Sequence, residues 1–162
     1  MNRRWMLVTL IALITAGVSC SNSSEDDFAA AEYPDAPTQQ IAAGDEWTLE
    51  LVRPDGGLPC SRIRVEDQTT RCMSLEYSAY SASWGSFQGP RSSFAQVTVG
   101  GDQPLTFLWF SSLHDGVEVD AYLIEGSQVA VVEVADGEEP WGVQVLDADG
   151  ALVNAWSFVD EG

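Results

Sequence analysis

Three cysteines, one histidine and a few short acid–glycine clusters are where chemistry could reside in this 162-residue chain. Cys60 and Cys72 stand twelve positions apart, a spacing that admits a structural disulfide, a redox couple or half of a soft-metal site. Zinc would need two more soft ligands, and His114 is the single histidine. A redox couple ordinarily shows the tight C-x-x-C spacing, which is absent. A structural staple is the reading left, contributing roughly 3 kcal/mol by the chain-entropy argument.

The run Ser111-Ser112-Leu113-His114-Asp115-Gly116 offers a nucleophile, a base and an acid side by side. A catalytic triad is assembled in space, so adjacency alone is no evidence for one, and Asp-Gly is ordinary turn chemistry. No G-x-S-x-G elbow occurs. Asp147, Asp149 and Gly150 match the start of a calcium loop, but Asn154 and Trp156 stand where a closing Glu would be sought. A hairpin turn accounts for the same residues. Carboxylates suited to glycoside hydrolysis are abundant, yet nothing singles out two of them. The chain has no Lys, which removes P-loop, Schiff-base and Ser-Lys chemistry. No catalytic set, metal-ligand set or cofactor motif emerges.

The amino-terminal residues speak to compartment. Asn2-Arg3-Arg4 precedes the apolar run Trp5–Val18, and small residues lead to Cys20. A basic start followed by an apolar stretch too short for a stable span is the layout of an export signal over 1–19. With Val18, Ser19 and Cys20 the segment resembles the lipobox of bacterial lipoproteins, although Gly17 stands where that family prefers Leu. The resemblance implies that Cys20 becomes the first residue of the mature chain and carries the lipid. The alternative is a plain cleaved signal and a secreted protein. An odd cysteine count in an exported chain favours lipidation of Cys20, since Cys60 and Cys72 are then a pair.

Residues 20–43 (CSNSSEDDFAAAEYPDAPTQQIAA) are rich in Ser, Asp, Glu, Ala and Pro without sustained periodicity, and read as a disordered acidic linker. Such a spacer spans roughly 25–30 Å root-mean-square. The whole chain carries 7 basic against 25 acidic residues, a formal charge of −18. Loss of Arg3 and Arg4 on processing makes the balance more acidic still. No basic face exists for nucleic acid, and an anionic bilayer would repel the domain, so membrane contact would come from the lipid alone.

Residues 44–162 are of a size for one domain. Trp47–Val52 alternates, and Pro54-Asp55-Gly56-Gly57 ends the run. Ile63 and Val65 alternate with Arg62 and Arg64, and Met73, Leu75 and Tyr77 alternate with Ser74 and Glu76. A hairpin with Cys60 opposite Cys72 and Ile63 opposite Thr69 puts these apolar residues on one face. Both cysteines then share the polar face with the arginines. Residues 77–90 (YSAYSASWGSFQGP) lack alternation and read as a long loop. Its Tyr80, Trp84 and Phe87 either bind a partner or cap the core. Further strands are expected around 95–99, 117–123, 129–134, 141–145 and 152–158, with Gly- or Asp-bearing turns between them. Leu105–Phe110 (LTFLWF) is apolar at both parities, as in a central strand covered on both sides.

The fold expected is all-β: an antiparallel β-sandwich, or alternatively a barrel. The Trp47 start, the Asp-Gly-Gly turn before Cys60 and the closing VQVLDADGALV resemble β-domain envelope proteins of high-GC Gram-positive bacteria (actinobacteria). That resemblance implies an exported β-domain and supplies no activity. The expected function is a monomeric, lipid-anchored, non-enzymatic binding or adaptor module whose partner is an envelope protein or a cell-wall glycan. The alternatives are a small secreted hydrolase using His114 or acidic residues, and a calcium- or glycan-binding module.

Overall fold

The computed structural model describes residues 28–89 and 92–158. The signal segment 1–19 and Cys20 lie outside the described residues, as do 21–27 of the linker. Described residues form fourteen strands and no helix. They are β1 (Phe28–Ala29), β2 (Thr38–Ala43), β3 (Thr48–Val52), β4 (Cys60–Val65), β5 (Gln68–Thr70), β6 (Met73–Ser74) and β7 (Ala82–Gln88). The second half supplies β8 (Ser93–Gly100), β9 (Thr106–Ser111), β10 (Asp115–Val119), β11 (Ala121–Ile124), β12 (Ser127–Val134), β13 (Pro140–Leu146) and β14 (Leu152–Ser157).

All pairings are antiparallel, and they make three open sheets. The first sheet runs β1-β5-β4-β3-β2, with β6 beside β4; the second runs β11-β12-β8-β7; the third runs β10-β9-β13-β14. Among the described residues no sheet closes on itself, so the architecture is a sandwich and not a barrel.

Two separate cores show that the sandwich has three layers. One joins Leu49, Leu51, Ile63, Val65, Met73 and Leu75 of the first sheet and the β6–β7 segment to Phe87, Phe94, Val129 and Val131 of the second. The other joins Ala95, Val97, Val99, Ala130, Val132 and Val134 of the second sheet to Phe107, Trp109, Val143 and Val145 of the third. Alternate residues of β8 and β12 therefore feed opposite cores, as the two-residue strand period requires. The second sheet is the doubly covered one. Leu105–Phe110 is not: Phe107 and Trp109 are buried, while Leu108 and Phe110 are half-buried on the outer face of the third sheet.

Residues 77–90 hold a strand, correcting the loop expectation. In β7 one parity (Ala82, Trp84) packs on the second core and the other (Phe87) lies in the first. The first half of the strand packs one parity on the second core and the second half packs the other parity on the first, with Ser86 and Gln88 exposed, so no single parity stays apolar along its length. Its Gly85 is required by packing, because an added Cβ would sit 2.6 Å from the Phe87 ring and 3.2 Å from the Met73 sulfur.

The ordered domain also begins before residue 44. Thr38–Ala43 pairs with β3, and Phe28–Ala29 pairs with β5. Phe28 is buried with its ring 5.8 Å from that of Phe94. β2 is a polar edge strand, whose backbone bonds depend little on apolar side chains, so its composition imitates a linker.

The β4–β5 hairpin differs from the expected register. Val65 pairs with Gln68, and Arg64 with Thr69. The expected pairing of Ile63 with Thr69 would leave Glu66 as a one-residue loop. The observed turn uses Glu66 and Asp67, with Glu66 at φ 53°, the two-residue hairpin loop that sterics permit. Arg71 and Cys72 then interrupt the ladder, and Cys60 meets Ser74. That extra slip restores the parity of Met73 and Leu75, which are buried with Ile63 and Val65; Tyr77 is exposed.

Candidate functional site

Cys60 and Cys72 are joined by a disulfide, with their Cα atoms 5.5 Å apart. It lies on the outer face of the first sheet, as expected, but that face is covered. Arg62 Nε donates to Glu50 Oε2 at 2.8 Å, and Arg64 Nε donates to Glu50 Oε1 at 2.6 Å. The 30–37 segment crosses above them: Arg62 Nη1 donates to the Glu32 carbonyl, and the Cys72 amide donates to Glu32 Oε2 at 2.9 Å. Burial would raise the Glu50 carboxyl, but the hydrogen bonds and charge of Arg64 and Arg62 outweigh it and hold it below the ordinary range. Cys60, Arg62 and Glu50 are buried, and their polar atoms serve one another. This is a built structural layer, and the disulfide is of the kind that persists in oxidising, extracytoplasmic compartments.

Tyr80, Trp84 and Phe87 do not form one surface, which corrects their grouping as a contact site. Phe87 is fully buried in the first core. Trp84 packs edge-on against Phe158 at 4.7 Å on the second core. Only Tyr80 is exposed, at φ 61° in the turn before β7. The strand period sends Trp84 and Phe87 to opposite sides of the middle sheet.

His114 occupies the β9–β10 turn and is 44% exposed at its side chain. Ser111 is buried; its Oγ accepts from the Leu113 and His114 amides, and its side chain hydrogen-bonds the Glu138 carboxylate. Trp109 Nε1 donates to Glu138 Oε1 at 2.9 Å, and the Ala135 amide donates to Oε2 at 2.9 Å. His114 Nε2 lies 3.9 Å from that carboxylate. Burial would raise the Glu138 carboxyl; Ser111, Trp109, the Ala135 amide and His114 together bring it below the ordinary range. In a serine triad the base bridges the hydroxyl and the acid. Here the acid takes the hydroxyl itself and the histidine stands outside, so the cluster ties the 111–115 turn to the β12–β13 turn.

Asp147 serves a hairpin turn. Its Oδ1 accepts from the Asp149 amide at 3.0 Å and the Ala151 amide at 2.8 Å, and Gly150 takes φ 79°. Among the described residues no group of His, Cys, Asp and Glu is arranged to hold a metal ion.

A different place has the shape of a ligand site. A groove of about 460 Å³, within the range of small-molecule sites, lies on the third sheet. Phe110, Trp141, Gly142, Val143, Gln144, Ala155, Trp156 and Ser157 line it. Three local features build it. Pro140 pairs with Ser111 and Gly142 with Phe110, so Trp141 is the extra residue of a β-bulge. Alternation with buried Val143 and Val145 would turn Trp141 inward; the bulge leaves it 46% exposed. Gly142 pairs with Phe110 on one side and Ser157 on the other, opening a gap in the sheet surface. The glycine is obligatory, since a Cβ there would collide with the Trp156 carbonyl. Gln144, Ala155 and Ser157 are exposed around the gap, and Phe110 is half-buried.

The residues of this groove were present in the sequence only as strand residues. The usable signals were the apolar second parity of LTFLWF and a Trp-Gly pair inside a strand, where glycine marks a bulge or a close approach. Comparison with protein-family models, with curated proteins and with solved structures finds no match to this chain.

Proposed function

We propose that this protein is a lipid-anchored, extracytoplasmic binding module that presents the outer face of its third sheet to a component of the cell envelope and performs no reaction itself. The observation that carries the reading is the opposition of two faces. The chain joins the domain at the first sheet, through β1 and β2, and the groove lies on the far side of the third. Sheets stack about 10 Å apart, so the two outer layers are separated by about 20 Å.

The anchor follows from the cysteines. Cys60 and Cys72 are consumed in a disulfide, which leaves Cys20 as the remaining cysteine for acylation. Residues 21–27 reach at most about 25 Å when fully extended. The first sheet is then held near the headgroups with the groove directed outward. An acidic domain is repelled by anionic lipid, so the attachment would come from the lipid on Cys20 and not from the protein surface.

Two measurements test this reading. Mass spectrometry of the mature amino terminus should find acylated Cys20, and Cys20→Ser should release the protein from the membrane; an unmodified cleaved terminus would remove the anchor. Crosslinking of the mature protein in its native envelope should capture a reproducible neighbour that Trp141→Ala loses. Capture indifferent to Trp141 would remove the groove from the account.

A further inference from the structure

We infer that the groove on the third sheet is a subsite for an uncharged sugar ring of an envelope oligosaccharide; this rests on the binding-module reading and names the ligand class. The first observation is charge. The chain carries −18 overall, yet none of the eight lining residues is ionisable. An anionic ligand would find no cation there. Arg62 and Arg64 are bound to Glu50 on the first sheet, and Arg53 is paired with Glu125 at 2.7 Å. A cationic ligand would be drawn to the carboxylates elsewhere on the surface. What the groove selects is a neutral molecule.

The second observation is the combination of side chains. Trp141 and Phe110 present aromatic surface beside a floor opened by Gly142. One face of a pyranose ring carries C–H groups polarised by neighbouring oxygens, and these suit the negative face of an aromatic ring. Gln144 and Ser157 supply an amide and a hydroxyl, which both donate and accept. Sugar hydroxyls need that ambivalence. A peptide anchor would instead call for an enclosed apolar pocket, whereas this groove is open and edged by exposed polar groups.

The third observation is rigidity. The lining residues sit on three adjacent strands, β9, β13 and β14, over a close-packed core. The groove is preformed, so little ordering cost opposes a weak ligand.

The test is a titration of the mature lipidated protein, held in a detergent without a sugar headgroup. The probes are cello-, xylo-, manno- and chito-oligosaccharides, with oligogalacturonate as the acidic control, followed by tryptophan fluorescence and calorimetry. At least one neutral series should bind saturably. Trp141→Ala should weaken it about tenfold or more, the loss expected of one anchoring aromatic. Trp141→Phe should retain part of the affinity, and Tyr80→Ala should retain all of it. Absence of binding by every neutral series, binding unchanged by Trp141→Ala, or equal binding of oligogalacturonate would each overturn the inference. A protein neighbour captured through Trp141 without sugar binding would remove the sugar and leave the binding module standing. Capture of neither would remove both.

Discussion

The two outer faces of this sandwich receive opposite treatment. On the first sheet, buried Glu50 and Arg62 and half-buried Arg64 form an ionic cluster beside the disulfide, and the chain's own 30–37 segment crosses over it. On the third sheet, Phe110 and Trp141 stand around a glycine gap that nothing in the described chain covers. On one face charged groups are drawn out of water and paired with each other; on the other two aromatic rings meet solvent. Burying charge is costly, and leaving aromatics in water forgoes a favourable term. The first cost is offset by mutual pairing inside the molecule. The second has no internal compensation, which points to a partner outside it.

The contrast predicts that stability and capture separate by layer. The largest loss of stability should come from Glu50→Ala, which leaves Arg62 buried without its carboxylate. We expect about 3–5 kcal/mol in urea denaturation, with ligand capture retained below the unfolding transition. Replacing Cys60 and Cys72 together by Ala should cost about 3 kcal/mol, again without altering the groove. Acid should act on both layers. Glu50 and Glu138 both have folded-state carboxyls below their ordinary values. Their contribution is therefore complete above the unfolded-state value of about 4.3 and is lost as pH falls through the lower folded-state values. Thermal melts should show that acid limb, and Glu138→Gln should flatten it. The smallest stability change belongs to Trp141→Ala, within about 0.5 kcal/mol, since the ring is half in solvent. A large destabilisation there would show that Trp141 is structural and blur the contrast.

The sequence carried most of the strands and little of their arrangement. Leu49, Leu51, Ile63, Val65, Met73, Leu75, Val97 and Val99 announced themselves by alternation and are core. The turns at Gly56, Gly126, Gly137 and Gly150 all use positive φ, as Asp-Gly and Gly-Ser signals suggest. The expected strand over 117–123 is two strands: β10 belongs to the third sheet and β11 to the second, with Asp120 between them. Periodicity cannot show a chain changing sheets, because both halves keep the same two-residue repeat.

The aromatic residues depart from expectation for one reason. Irregularity of the surrounding sequence does not report exposure. Trp84 and Phe87 lie in an irregular stretch because β7 serves two cores, and they are structural. Trp141 lies in a regular stretch, and a single bulge turns it out. A bulge depends on how Pro140 and Gly142 pair with a distant strand, which local pattern does not encode. The disulfide was legible for the converse reason: cysteine count and spacing survive errors of register, and Cys60–Cys72 formed although Cys60 pairs with Ser74.

On the proposed arrangement the ligand meets the third sheet while the first faces the anchor. The most direct test places a photo-crosslinking amino acid at position 141 or at position 58, the exposed Leu58 of the β3–β4 turn. Both proteins would be irradiated in the native envelope and their adducts compared. A discrete envelope adduct is expected from position 141 and none of the same species from position 58. Equal adducts from both positions, or the adduct from position 58 alone, would contradict that arrangement.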